Sequence, residues 1–244
     1  MKTRRYGVFT LLLVVLLAIP LSLSAMVEVD GFIHNDTTWT DADTILVTDL
    51  VVVDSTARLT IQPGTVILFG YNSSLWVWGQ LYAEGDASND ILFTSVVEAF
   101  GGTPSAGSWL GVNFYTNSSG IMEHCVFRYA TNGVLAVGAS VEFYDCLSEN
   151  FSNSGFHING GSDLPRPVVF ERCTARQENI DLKGEGTGLI VYQAAEISIA
   201  QCRFYDCLTG IDLSANGTAY PRFTITHCDI RDNLLYGIYV HTCT

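Results

Sequence analysis

Four residues after Cys202 and Cys228 stand Asp206 and Asp232, and the same place after Cys146 and Cys173 holds Asn150 and Gln177. If these positions superpose on successive turns of a repeating structure, the two carboxyl groups lie roughly 4.8 Å apart, one strand spacing. Retaining glycoside hydrolysis needs two carboxyl groups about 5 to 5.5 Å apart across one bond. Elimination from an acidic sugar needs a base near a stabilised carboxylate. Arg231 adjoins the pair and Arg176 lies one repeat earlier, so Asp206, Asp232 and Arg231 are the candidate catalytic residues. The two carboxylates are one residue out of register relative to the glycines that follow, Gly210 and Gly237, and a polar ladder of this kind also suits a merely solvated corner.

A second chemistry is stacking. Trp76, Trp78, Gln80 and Tyr82 alternate with Leu75, Val77, Gly79 and Leu81. A strand with the apolar set inside turns the aromatic set outward. Flat rings on a rigid strand form a platform for sugar rings, with N–H and O–H groups able to bond hydroxyls. Trp76, Trp78 and Tyr82 are therefore the candidate carbohydrate-binding residues. The alternative is that the long loop 96–108 folds over them.

Other site chemistries find no support. The five histidines (His34, His124, His157, His227 and His241) do not cluster, no G-x-S-x-G occurs, and Cys202 and Cys207 lack a second closely spaced ligand pair for zinc. No EF-hand loop or Gly-Gly-x-Gly-x-Asp repeat is present, so no cofactor is expected; a calcium site would have to be assembled across coils.

The elements that must position these residues are repeats. Cys125, Cys146, Cys173, Cys202 and Cys228 align five copies at intervals of 21, 27, 29 and 26 residues. Apolar residues fall three and five places before the cysteine (Val141 and Phe143, Val168 and Phe170, Ile197 and Ile199, Phe223 and Ile225). A further same-face residue follows two places after it. The odd interval from Phe143 to Cys146 requires a corner between them, because a straight strand would put them on opposite faces. A glycine then precedes another alternating pair: Gly133, Gly155, Gly188, Gly210 and Gly237 each lead such a strand. Glycine suits a corner through positive φ or close backbone approach.

Three short strands per repeat, with all apolar faces on one side, describe a solenoid. The first half keeps the rhythm without cysteine: Leu50 and Val52, Leu59 and Ile61, Val66 and Leu68, Leu75 and Val77, Leu81 and Ala83, Ile91 and Phe93, Val112 and Phe114. A β-sandwich is the competing all-β reading, and the stacked cysteine and glycine columns favour the solenoid. The cysteine column reads as buried free thiols, with Cys207 and Cys243 outside it as the reactive or paired ones.

The run "LTIQPGTVILFGYNSSLWVWGQLYAEGDASNDILFTS" (59–95), followed by "SWLGVNFYTNSSGIMEHCVFRYATNGV" (108–134), resembles the right-handed parallel β-helix repeat proteins of bacterial envelopes and secretions, pectate-lyase-like in architecture. The resemblance covers nearly all of the chain after its first 25 residues. It implies an all-β, right-handed parallel β-helix with three short strands per coil and about eight coils. It does not imply one function, because the fold hosts lyases, hydrolases, adhesins and spacers.

Composition bounds the partners. Residues 1–25 have a basic start, an apolar run and small residues near Ala25, the pattern of a secretory signal peptide. Its removal takes three of the 12 basic residues and none of the 25 acidic ones, so the net charge moves from −13 to −16. Such a chain repels phosphate backbones and anionic headgroups, which excludes nucleic acid and, after cleavage, a membrane. Five N-x-[ST] sequons occur, at Asn35, Asn72, Asn117, Asn150 and Asn216.

The expected organisation is a signal peptide over 1–25, an N-terminal lead-in or cap over 26–49 and a parallel β-helix over 50–244. The end at Thr244 has no polar cap and would suit a fragment of a longer protein. The expected function is a secreted or cell-surface module, a rigid extracellular scaffold or carbohydrate-contacting and adhesion surface, non-catalytic, with polysaccharide or cell-surface glycan as partner. The alternative is a polysaccharide lyase or glycoside hydrolase acting on acidic polysaccharide.

Overall fold

The structure is a computed structural model that describes residues 25–160, 168–192, 196–216 and 222–243, with the backbone alone at 180, 215, 216, 242 and 243. The expected signal peptide, apart from its last residue, lies outside the described residues. So do the side chains of Cys243 and of the sequon residue Asn216.

Every ladder that joins two strands pairs them in parallel, and each strand pairs with its counterpart one coil away. The chain visits three sheets in turn. Sheet one stacks Val66–Phe69, Ile91–Ser95, Cys125–Arg128, Leu147–Glu149, Thr174–Arg176, Arg203–Tyr205 and Asp229–Arg231. Sheet two stacks Ser74–Val77, Gly111–Phe114, Asn132–Val137, Ser154–Asn159, Thr187–Tyr192, Thr209–Asn216 and Tyr236–Cys243. Sheet three contains eight strands, from Thr37–Trp39 to Arg222–Thr226.

One long strand, Asp43–Val53, rounds a corner. Its first part pairs with Val66–Phe69 and its second with Ser74–Val77, joining sheets one and two. Ala25–Ile33 pairs along the same strand, so stacking already includes the segment 26–49, and the boundary expected at Leu50 falls inside a strand.

The cysteine column stands as expected. Register places Val126 against Leu147, Leu147 against Thr174, Thr174 against Arg203 and Arg203 against Asp229, which aligns the five cysteines that precede them. Four of the five are buried, Cys228 is half-buried, and all are free thiols. Sγ atoms of the column donate to backbone carbonyls of sheet three one coil back, as from Cys125 to Ala83 O (3.3 Å) and from Cys146 to Met122 O (3.2 Å). Beside them the Phe143 and Phe170 rings stack at 4.6 Å.

The corner demanded by the odd interval is a left-handed residue immediately before each cysteine: His124, Asp145, Arg172, Gln201 and His227, with φ from 48° to 57°. A second left-handed corner lies four residues after the cysteine, at Tyr129, Asn150, Asp206 and Asp232. Asn and Asp accept this region more readily than most residues. Gln177 breaks the series. There the chain makes an excursion through the 3-10 turn Ile180–Leu182, and the buried Gln177 amide donates to Phe151 O (2.8 Å) and Glu185 O (3.1 Å).

The glycine column meets one half of its expectation and not the other. Gly133, Gly155, Gly188 and Gly210 do not have positive φ, and close approach alone explains them. A Cβ at Gly188 would lie 2.6 Å from Gly210 O and 2.9 Å from Phe204 Cδ1, and one at Gly155 would lie 2.7 Å from Ala175 Cβ. The column gives room to the side chains two places after the cysteines, from Ser148 and Ala175 to Phe204 and Ile230, and to the backbone of the next coil.

Two of the early apolar pairs are also out by one. Val51 and Val53, and Ile67 and Phe69, enter the core, whereas Val52 and Leu68 face outward although buried. The runs Val51–Val53 and Val66–Phe69 are continuously apolar, so alternation cannot select a face there. At the far end Ile238 and Val240 continue the inward lines of Ile211 and Leu213. They are exposed, at 44% and 65%, because no further coil covers them among the described residues.

Candidate functional site

The candidate carboxylates meet in register. Tyr205 pairs with Arg231, so Asp206 and Asp232 occupy equivalent left-handed corners of adjacent coils. Each already pairs with a cation: Lys183 Nζ lies 2.9 Å from Asp206 Oδ2, and Arg231 Nη1 lies 2.5 Å from Asp232 Oδ2. Arg231 also holds Asp229 (2.9 Å) and lies over the Tyr205 ring, 4.6 Å from its centroid. An arginine held by two carboxylates and a ring is not free to steady a substrate carboxylate.

The same outward line of sheet one continues downward as an ion ladder. Glu149, 1% exposed, accepts from Arg128 Nε (2.7 Å) and from Arg176 Nη2 (2.8 Å) and Nε (3.0 Å). Arg176 Nη1 donates to Tyr205 Oη (3.2 Å), and Arg128 reaches Glu98 (3.5 Å).

The structure also assembles a trio that sequence reading missed. Donor atoms of Glu123, His124 and Asp145 all lie within 4.8 Å of one another. His124 and Asp145 are the residues before successive column cysteines, which is the signal that could have joined them. Arg172 closes this cluster: its Nε and Nη2 donate to the two Asp145 oxygens (2.8 Å each), and it pairs with Glu171 as well. That hydrogen bonding holds the Asp145 carboxyl below its usual value, with burial opposing. Cys207, expected as a reactive or paired thiol, is free, buried and pushed up to about 12 by burial and by the Asp206 charge, so it is a poor nucleophile.

The aromatic residues divide. Leu75, Val77 and Leu81 are fully buried, and Trp76, Trp78 and Tyr82 alternate outward as expected. They do not form one row, however. Trp76 belongs to sheet two, Trp78 stands at the corner, and Tyr82 faces out from sheet three. The bend is at Gly79, where a Cβ would lie 2.2 Å from both Asp54 O and Ala57 O, so only glycine fits. Tyr82 instead supports Arg58, whose guanidinium sits 4.9 Å from its ring centroid.

The loop 96–108 does not cover the tryptophans. Its helix Val96–Ala99 packs on Val66–Phe69 and Ile91–Ser95 of sheet one, and Thr103 to Ala106 face Phe151 and Asn179 across a cleft of about 490 Å³. Trp78 remains 39% exposed.

Sheet two carries residues of the same kind that were not singled out. Register runs outward from Phe32 through Val52, Trp76, Asn113, Leu135, His157, Ile190 and Asp212 to Tyr239. Beside it Val137, Asn159, Tyr192, Ser214 and His241 form a second line, and Tyr115 follows Phe114 toward Trp78.

Rings meet edge-on between Trp76 and Tyr115 (5.1 Å) and between His157 and Tyr192 (5.4 Å), and stacked between Tyr239 and His241 (4.9 Å). The formal charges on these lines are few, and each is internally partnered: Asp212 with His241 (2.9 Å) and, at the corner, Asp54 with His34 (2.9 Å). The sequence signal was the second and fourth place after each glycine, which yields His157, Tyr192, Tyr239 and His241 directly.

Stacked three-strand coils with a closed interior and an aromatic outer sheet define a parallel β-solenoid. A sequence model of the family described as right handed beta helix region matches residues 110–244, more than half the chain, and the protein belongs to that family. No curated protein and no solved structure matches it.

Proposed function

We propose that the protein is a secreted or cell-surface β-helix module that acts as a rigid scaffold and contacts carbohydrate through the outer face of sheet two, without cleaving it. The observation that carries this reading is a rigid, aromatic and nearly charge-free face on a chain of net charge −13. Sugar rings stack on such surfaces, and their hydroxyls meet the Tyr, Trp and His polar atoms. The pairing of Asp206 and Asp232 with separate cations speaks for the non-catalytic part. The test is a panel of neutral and acidic polysaccharides, with and without calcium, in which retention and bond cleavage are read from the same samples. Retention without cleavage, lost in Trp76→Ala and Trp78→Ala, is the expected outcome; cleavage lost in Asp206→Asn would replace it with the lyase or hydrolase reading.

A further inference from the structure

Around the corner from the aromatic face, Asp36, Ser55, Arg58, Gln80, Asn117 and Ser119 line a polar cleft of about 330 Å³, with Gly79 at its floor. That volume is at the lower end for small-molecule sites. Trp78 adjoins two of its lining residues in sequence, Gly79 and Gln80, and meets Phe32 edge-on at 6.2 Å. From Phe32 the contacts run on through the stacked His34 to Asp54, whose carboxylate accepts from Ser55 N at 2.7 Å.

Inside, the groups are planar and fixed. Arg58 donates from Nε (3.0 Å) and Nη2 (2.8 Å) to Gln80 Oε1, its backbone N–H donates to Asp36 Oδ1 (2.9 Å), and Tyr82 supports its guanidinium. This fixes the Gln80 side chain through its oxygen, leaving its amide NH₂ as a donor for a ligand. Asn117 adds an exposed amide from a left-handed corner, with φ 69°.

From this arrangement we infer that the cleft is the recognition pocket of the proposed carbohydrate face, and that it takes a neutral sugar unit rather than a uronic acid. The inference rests on that proposed reading and narrows it. Asp36 and Arg58 cancel in formal charge, and two N–H groups of the one cation already donate to Gln80 Oε1 while its guanidinium lies over the Tyr82 ring. A ligand carboxylate would enter a cleft whose lining carries no net positive charge, against a net negative protein. Neutral hydroxyls match a mixed set of amide, hydroxyl and carboxylate groups, while the apolar face of a ring lies against Trp78. A peptide strand fits poorly, because the sides of a solenoid present no free sheet edge, and main-chain pairing needs one.

The test is titration calorimetry of the full chain with neutral and uronate oligosaccharides of matched length, repeated for Gln80→Ala, Asn117→Gly and Trp76→Ala. Asn117→Gly keeps the left-handed backbone while removing the amide, so it guards against a misfolded Gln80→Ala. The expected result is affinity for neutral oligosaccharides at least about tenfold above that for uronates, reduced about tenfold by either cleft variant, as for a site that hydrogen-bonds its ligand. Binding that depends on Trp76 but ignores Gln80 and Asn117, or that treats uronates equally, would overturn the cleft and leave the platform standing. No binding to any glycan would remove both.

Discussion

On sheet one the outward line runs Arg128, Glu149, Arg176, Tyr205, Arg231, each group closed on the next by an ion pair, a hydrogen bond or a ring contact. On sheet two the equivalent outward line carries Trp76, Asn113, Leu135, His157 and Ile190. One repeat builds both faces, yet the first carries a ladder of charges closed on one another, whereas the second carries rings and few charges, with Asn113 and Ile190 buried along its line. A charged ladder is therefore the weaker basis for a functional reading here, because its charges already answer one another, and the proposed function rests on the face with little charge.

That contrast can be broken from the inside. Phe143→Ala removes a ring stacked between coils at a fully buried position shared by all faces. It should cost about 3–5 kcal/mol, seen as a lowered denaturant midpoint, with loss of glycan retention following only from unfolding. Glu149→Ala attacks sheet one alone. The buried carboxylate disappears and leaves Arg128 only its longer contact with Glu98 and Arg176 only Glu178 and Tyr205, so the expected loss is about 2 kcal/mol, with retention by the folded protein unchanged.

Trp78→Ala reverses the pattern. The ring is partly exposed, so stability should shift by about 1 kcal/mol or less, while glycan affinity should fall about tenfold, equivalent to ~1.4 kcal/mol. A Trp78 variant that melts early but binds normally would put the two faces on the same footing.

The sheet-two face also has a pH signature. Burial holds the His157 imidazole below its usual value of 6.5, with the Asp212 charge opposing. The unfolded chain therefore takes up a proton at a higher pH than the folded protein, and stability is full above about 6.5 and declines as the pH falls below it. The slope is at most about 1.4 kcal/mol per pH unit. His157→Phe keeps an aromatic ring near Tyr192 and should flatten this part of the melting-temperature profile. An unchanged profile would mean that His157 is not the titrating group.

Much of the solenoid is legible in the sequence because identical residues mark equivalent places. The cysteine column gives register, and the odd interval from Phe143 to Cys146 gives a corner, which Asp145 makes. The glycines reveal position but mislead about cause, since the left-handed backbone belongs to Asn150, Asp206 and Asp232 and the glycines only clear space. The site was half legible. Reading one continuous run joined Tyr82 to Trp76 and Trp78, although Gly79 bends the chain between sheets. Reading down the repeat instead, at fixed distances after each glycine, joins His157, Tyr192 and Tyr239. The Glu123, His124 and Asp145 trio was hidden because its members meet only through coil stacking.

The smallest expected effect belongs to the carboxylates. Asp206→Asn with Asp232→Asn keeps residues that accept the left-handed corner and removes only exposed or half-exposed ion pairs, each contributing about 0–1 kcal/mol. The decisive measurement compares this double variant with Trp76→Ala/Trp78→Ala on one polysaccharide panel, recording retention and reducing-end or unsaturated-product release together. The account predicts that the carboxylate variant retains glycan like the parent, that the tryptophan variant does not, and that no sample releases product. Product release that vanishes in the carboxylate variant, or retention indifferent to both tryptophans, would contradict it.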